Sequence, residues 1–91
     1  MIKAKIRMNV PTGLHLRPAQ ELCNLAIRYD SDITIHSRGT DYNAKSVLSV
    51  LGACVRFGDE IELVCEGPDE VDAMKTMSQA LEEGLVSGGK L

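Results

Sequence analysis

A chain of 91 residues is long enough for one hydrophobic core and short for two. With 44% hydrophobic and 25% charged residues it has the composition of an ordinary soluble globule, and its only aromatics (Tyr29, Tyr42 and Phe57) leave the core to aliphatic side chains. So few aromatics, with a net charge of −3, argue against stacking platforms for single-stranded nucleic acid and against a bulk polyanion as partner.

Ile2, Ala4, Ile6 and Met8 alternate with Lys3, Lys5 and Arg7, the period of a half-buried strand with one solvated face. Pro11, Thr12 and Gly13 break it. From Leu16 to about Arg28 the period changes, because Ala19, Leu22, Cys23 and Ala26 fall at i, i+3, i+4 and i+7 of one helical face, with Pro18 tolerated in the first turn. "DITIHS" (Asp32 to Ser37) predicts a second strand, "RGT" a tight hairpin turn helped by Gly39, and the region of Asp41 to Asn43 a short third strand. "SVLSVLG" is ambiguous by period, but a serine at its start and Gly52 near its end favour a short helix. In "EIELVCE", Ile61, Leu63 and Cys65 point one way while Glu60, Glu62 and Glu66 point the other. "GPDE" opens a last helix with acids where its dipole favours them, and the expected inner stripe is Val71, Met74, Met77, Ser78, Leu81 and Leu85. Residues 85–91 read as a frayed tail.

The order is therefore β-α-β-β-α-β-α in a single α+β domain, residues 1–91. Strands with one charged face each imply an antiparallel sheet with the helices on the other face. Cys23, Cys54 and Cys65 are odd in number and widely spaced, which suits reduced thiols better than a disulfide framework. Cys23 and Cys65 fall on inward stripes; Cys54 falls on none. The opening "MIKAKIRMNVP" has no signal-peptide core, and no apolar run is long enough to span a bilayer, so a cytoplasmic protein without membrane insertion is expected. The spacing of His, Cys, Asp and Glu suggests no metal site, and no cofactor is expected.

The chemistry concentrates in "GLHLRPA", Gly13 to Ala19. A helix starting at Leu16 puts His15 at its mouth, where unpaired backbone N–H groups and the positive end of the dipole favour an anion. The imidazole brings to this anion site a nitrogen lone pair suited to nucleophilic attack. Arg17 supplies a permanent cation suited to phosphate oxygens, and Gly13 allows the tight turn that exposes the ring. Together they suggest a transient phosphohistidine, although the tripeptide alone fits a plain capping histidine with a solvated Arg17 at least as well. His36 lies opposite Ile33 and Ile35 and reads as a solvated strand residue.

"GLHLRPA" is similar to the active-site run of the HPr family, the histidine-containing phosphocarriers of the phosphoenolpyruvate:sugar phosphotransferase system. "NAKSVLSVLG" (Asn43 to Gly52) resembles the family's second motif, and "GDEIEL" and "EGPDE" resemble the last strand and the start of the last helix. The resemblance covers essentially the whole chain. It implies an open-faced β-sandwich, a four-stranded antiparallel sheet with three helices on one side. It implies that His15 accepts a phosphoryl group on Nδ1 from phosphorylated enzyme I and passes it to enzyme IIA components, with Arg17 and nearby amides stabilising the phosphate. Such a protein is a carrier that turns over as a substrate rather than a conventional enzyme.

The resemblance also makes Ser46, by its residue type a preferred helix cap, a candidate for regulatory phosphorylation by an HPr kinase/phosphorylase. A phospho-Ser46 form that docks on a catabolite-control transcription factor, or a nitrogen-branch carrier, is the alternative function. A six- or seven-residue helix buries only part of Val47, Leu48 and Leu51, so Val47 and Leu48, with Leu16, are expected to form an exposed docking patch to which Leu51 contributes. The protein is expected to act as a monomer. Leu16 departs from the family's more usual Ala or Thr, Ser49 from Gly or Lys, and Ala53–Cys54 from Leu-Gly or Leu-Ala.

Overall fold

Four strands and three helices follow one another in the computed structural model, which describes residues 1–85: β1 (Ile2–Arg7), α1 (Leu16–Ala26), β2 (Asp32–Ser37), β3 (Thr40–Asn43), α2 (Val47–Gly52), β4 (Glu60–Glu66) and α3 (Glu70–Glu82). The strands form one antiparallel sheet in the order β1-β4-β2-β3. Ile6, Ile33, Ile35, Ile61, Leu63 and Cys65 face one side and are buried there with Leu22, Ala26, Met77 and Leu81 of the helices. Their neighbours in sequence remain on the solvated side, where Lys5 stands opposite Glu62 and Arg7 opposite Glu60. Opposite charges placed across strands in this way add to the pairing. His36 lies on that outer face, as expected, and its Nδ1 is hydrogen-bonded to Asp41.

Two stretches differ from the sequence reading. In α3, Val71 is 66% exposed while Ala73 is fully buried. At about 100° per residue, Val71 lies roughly 120° from Met77 around the helix, whereas Ala73 lies only about 40° away. Leu85, expected both on the inner stripe and at the start of the tail, is 6% exposed and so belongs to the stripe. Gly84 (φ 77°) turns the chain back and the Leu85 N–H donates to the Ala80 carbonyl at 2.8 Å, a Schellman-type closure that returns the leucine to the core. The rest of the expected tail, residues 86–91, lies outside the described residues.

The hairpin between β2 and β3 has two turn residues, Arg38 (φ 52°) and Gly39 (φ 79°), both left-handed, as a type I′ turn requires. Arginine is an unusual occupant, and tertiary bonds hold it there: its guanidinium donates to the Ala53 carbonyl and to Asp59.

Asp69, at the start of α3, does not cap its own helix. Its carboxylate accepts the backbone N–H groups of Asp30 and Ser31 and the buried Ser31 hydroxyl, and so ties the α1–β2 connection to α3. The Ser31 hydroxyl first, and then the Asp30 N–H, hold this carboxyl below its usual range. A carboxyl depressed in the folded state contributes stability above its unfolded pKa of about 3.9. That contribution is lost as pH falls through the folded value. Asp69→Ala is therefore expected to lower Tm at neutral pH, with the gap to the unsubstituted protein narrowing below about pH 4; thermal melts across that range check it.

Candidate functional site

α1 begins at Leu16 with His15 as its N-cap residue, in extended backbone conformation (φ −75°, ψ −175°). The ring makes no cap hydrogen bond and the residue is exposed, so the helix entry is built by the main chain. The Ala19 N–H donates to the His15 carbonyl at 2.9 Å, and the Leu14 N–H donates to the Val55 carbonyl at 3.0 Å. Gly13 (φ 75°) packs so close to this second segment that a Cβ would lie 2.8 Å from the Val55 oxygen. The segment between α2 and β4 thus serves as the floor on which the histidine turn rests.

Pro18 occupies the third helical position and has no N–H to offer. The donors at the helix mouth are therefore the N–H groups of Leu16 and Arg17, neither of which has a main-chain acceptor among the described residues. Arg17 reaches into solvent with its side chain 83% exposed, and its Nε lies 3.9 Å from Glu21 Oε2, one turn further along. Both side chains line an open depression with His15, Leu16, Val10 and Leu85. On the other side of His15 a second depression is lined by Leu16, Leu51, Cys54 and Arg56. The histidine thus stands on a ridge between an arginine–carboxylate pair and an apolar hollow with a second arginine.

Ser46 caps α2: its Oγ accepts the Ser49 N–H at 3.2 Å, and Ser49 Oγ in turn accepts the Asn43 N–H at 2.8 Å. Serine at position 49 therefore fastens the end of β3 to α2. Of the expected docking residues, Leu48 is 82% and Leu16 56% exposed. Val47 and Leu51 are half-buried against the core, so the patch is narrower than the sequence implies. The first residue of so short a helix faces inward once Val50 has taken the buried position of the next turn. Cys54 is exposed and left-handed (φ 52°) just beyond α2, a position that favours glycine. Burial pushes the thiols of Cys23 and Cys65 up, as suits inert core residues. Glu21, Cys54 and Arg56 were not singled out for the site from sequence; only the i,i+4 spacing of Glu21 from Arg17 signals a contact.

Residues 2–83 match the family model described as PTS HPr component phosphorylation site. The chain belongs to the HPr family. The chain is 37% identical over 79 residues to the phosphocarrier protein HPr of Treponema pallidum (strain Nichols), covering 87% of this chain and 90% of that one. It is 31% identical over 83 residues to the HPr-like protein Crh of Bacillus subtilis (strain 168), covering 91% of this chain and 98% of that one. The crystal structure of HPr-C-His from Thermoanaerobacter tengcongensis superposes with a TM-score of 0.90 at 31% identity over the whole of both chains. The open-faced sandwich is thus that of the HPr fold, and the protein is an HPr-family phosphocarrier of the phosphotransferase system. No helix among the described residues is long and apolar enough to cross a membrane.

Proposed function

We propose that His15 of this HPr-family chain accepts a phosphoryl group from phosphorylated enzyme I and donates it to enzyme IIA components, with the protein acting as a monomer. The observation that carries this reading is the exposed His15 ring, free of capping duty at the N-terminus of an 11-residue helix, beside the N–H groups of Leu16 and Arg17. In the accepting step the Nδ1 lone pair forms a nitrogen–phosphorus bond as the donor's bond to phosphorus breaks, and that bond's electron pair stays with the donor. Donation to enzyme IIA reverses these roles. Arg17 and the helix-mouth amides offset the charge of the phosphoryl oxygens, and the openness of the site keeps the group within reach of an acceptor. Acid-labile labelling from phosphoenolpyruvate and enzyme I, compared with His15→Ala, tests the assignment.

Docking falls to two exposed apolar side chains, Leu16 beside the histidine and Leu48 on α2, with Leu51 lining the hollow. Leu48→Asp is expected to lower kcat/KM for phosphoryl transfer by about tenfold, the effect of losing one interface anchor. At 82% exposure the same change should leave Tm nearly unaltered. Unchanged kinetics would remove Leu48 from the interface.

A second, regulatory reading draws on the similarity to the HPr-like protein Crh. In it, Ser46 is phosphorylated by an HPr kinase/phosphorylase, and the phospho-form docks on a catabolite-control transcription factor or serves a nitrogen-branch partner. Phosphate at Ser46 adds about −1.5 to −2 charges. It would stand at the start of α2, near the proposed docking face, and repel an acidic partner there. Incubation with the kinase and ATP is expected to label the protein and not Ser46→Ala; equal labelling of both would dismiss the site.

A further inference from the structure

Taking His15 as the phosphoryl carrier, we infer that Glu21 is a positioning residue that competes with the phosphoryl group for Arg17 and so limits how strongly the loaded state is held. Glu21 Oε2 stands 3.9 Å from Arg17 Nε. The two residues are four apart on α1 and therefore share a face. Glu21 is the more anchored partner, with its side chain 29% exposed against 83% for Arg17, so the arginine is the side chain that moves. Both line the depression that contains His15.

In the empty protein the guanidinium is neutralised by the carboxylate. A phosphoryl group on His15 brings close to two negative charges into the same depression. If Arg17 turns to it, the carboxylate loses its partner and faces a like charge. If Arg17 stays with Glu21, the phosphoryl group lacks its side-chain cation. Either way the carboxylate raises the free energy of the loaded state relative to the empty one. The order of the pair adds to this, since a cation N-terminal to an acid at i,i+4 is the weaker of the two orientations and is readily broken. Glu21 thereby makes the carrier a better donor and a poorer store.

The test is a partition measurement. Isotope-labelled unsubstituted protein is loaded at histidine with phosphoramidate, a small phosphoryl donor, and mixed with unlabelled empty Glu21→Gln and catalytic enzyme I. Intact-mass spectrometry then reads where the phosphoryl group settles. Glu21→Gln is expected to hold it about three- to fivefold more often, the ceiling set by an exposed ion pair. The preference should collapse near 1 M salt and, when both proteins carry Arg17→Ala, shrink to what direct carboxylate–phosphoryl repulsion leaves, which a merely structural role for Glu21 would not produce. Equal partition overturns the inference while leaving the carrier reading intact, as does an equal preference in the Arg17→Ala background. Failure of enzyme I to move the group at all defeats the carrier reading, and this inference with it.

Discussion

Replacement of His15 by alanine is expected to reduce acid-labile labelling from phosphoenolpyruvate and enzyme I to background, with little change in Tm. The two halves of that result have separate causes. Chemically, the imidazole provides the attacking lone pair, and alanine leaves a helix mouth that attracts an anion but bonds to nothing. Structurally, the turn does not depend on the ring, since the hydrogen bonds that form it run from Ala19 to His15 and from Leu14 to Val55 through the main chain. An exposed side chain without a cap bond costs within about ±0.5 kcal/mol when removed. Labelling retained in the variant would point to the other histidine, His36, whose Nδ1 is already engaged by Asp41, and would sink the His15 assignment.

Gly13→Ala is expected to damage both stability and transfer, in contrast with Gly39→Ala. Both glycines are left-handed, at φ 75° and 79°, so each substitution incurs the same conformational cost of about 1–2 kcal/mol. A Cβ on Gly39 meets nothing within 4 Å, whereas one on Gly13 meets the Val55 oxygen at 2.8 Å and Arg56 Cα at 3.2 Å. Neither obstacle is a flexible side chain, so the main chain beneath the histidine must shift. With steric displacement added, the total for Gly13→Ala is about 2–4 kcal/mol, or a fall in Tm on the order of 10–20 °C in a domain of this size. Displacing a reacting group by about 1 Å costs on the order of a hundredfold in rate, so transfer by the folded fraction should fall as well. Calorimetry with single-turnover transfer on the two variants separates these effects. A transfer rate for Gly13→Ala matching that of Gly39→Ala would show that the floor under the turn does not position the ring.

The strands and helices were legible wherever one residue's fate follows from its neighbours in sequence. The alternation of Lys3, Lys5 and Arg7 with apolar residues located β1, and Ser46 with Gly52 bounded α2 despite its uninformative period. What the sequence does not show lies where distant segments decide. Arg38 tolerates a left-handed turn because Ala53 and Asp59 hold its guanidinium. Asp69 forgoes its own helix for Ser31 and Asp30. Val71 satisfies an apolar pattern yet faces solvent because sheet packing sets the rotation of α3. In the site, residue type and spacing put His15 at the mouth of α1 with Arg17 in the first turn, where the structure has them. That the histidine leaves the cap empty depends on a side-chain rotation, and its flanking by Arg56 and Cys54 depends on where the segment after α2 comes to rest.

Pro18 has a consequence for how such a carrier discriminates. With no N–H at that position and the Ala19 N–H already committed, the main-chain donors of the helix mouth would meet a tetrahedral oxyanion from one side only. The other hemisphere is left to whatever protein arrives. On the proposed carrier reading, recognition and reaction then coincide, because the acceptor must itself supply the contacts on that side.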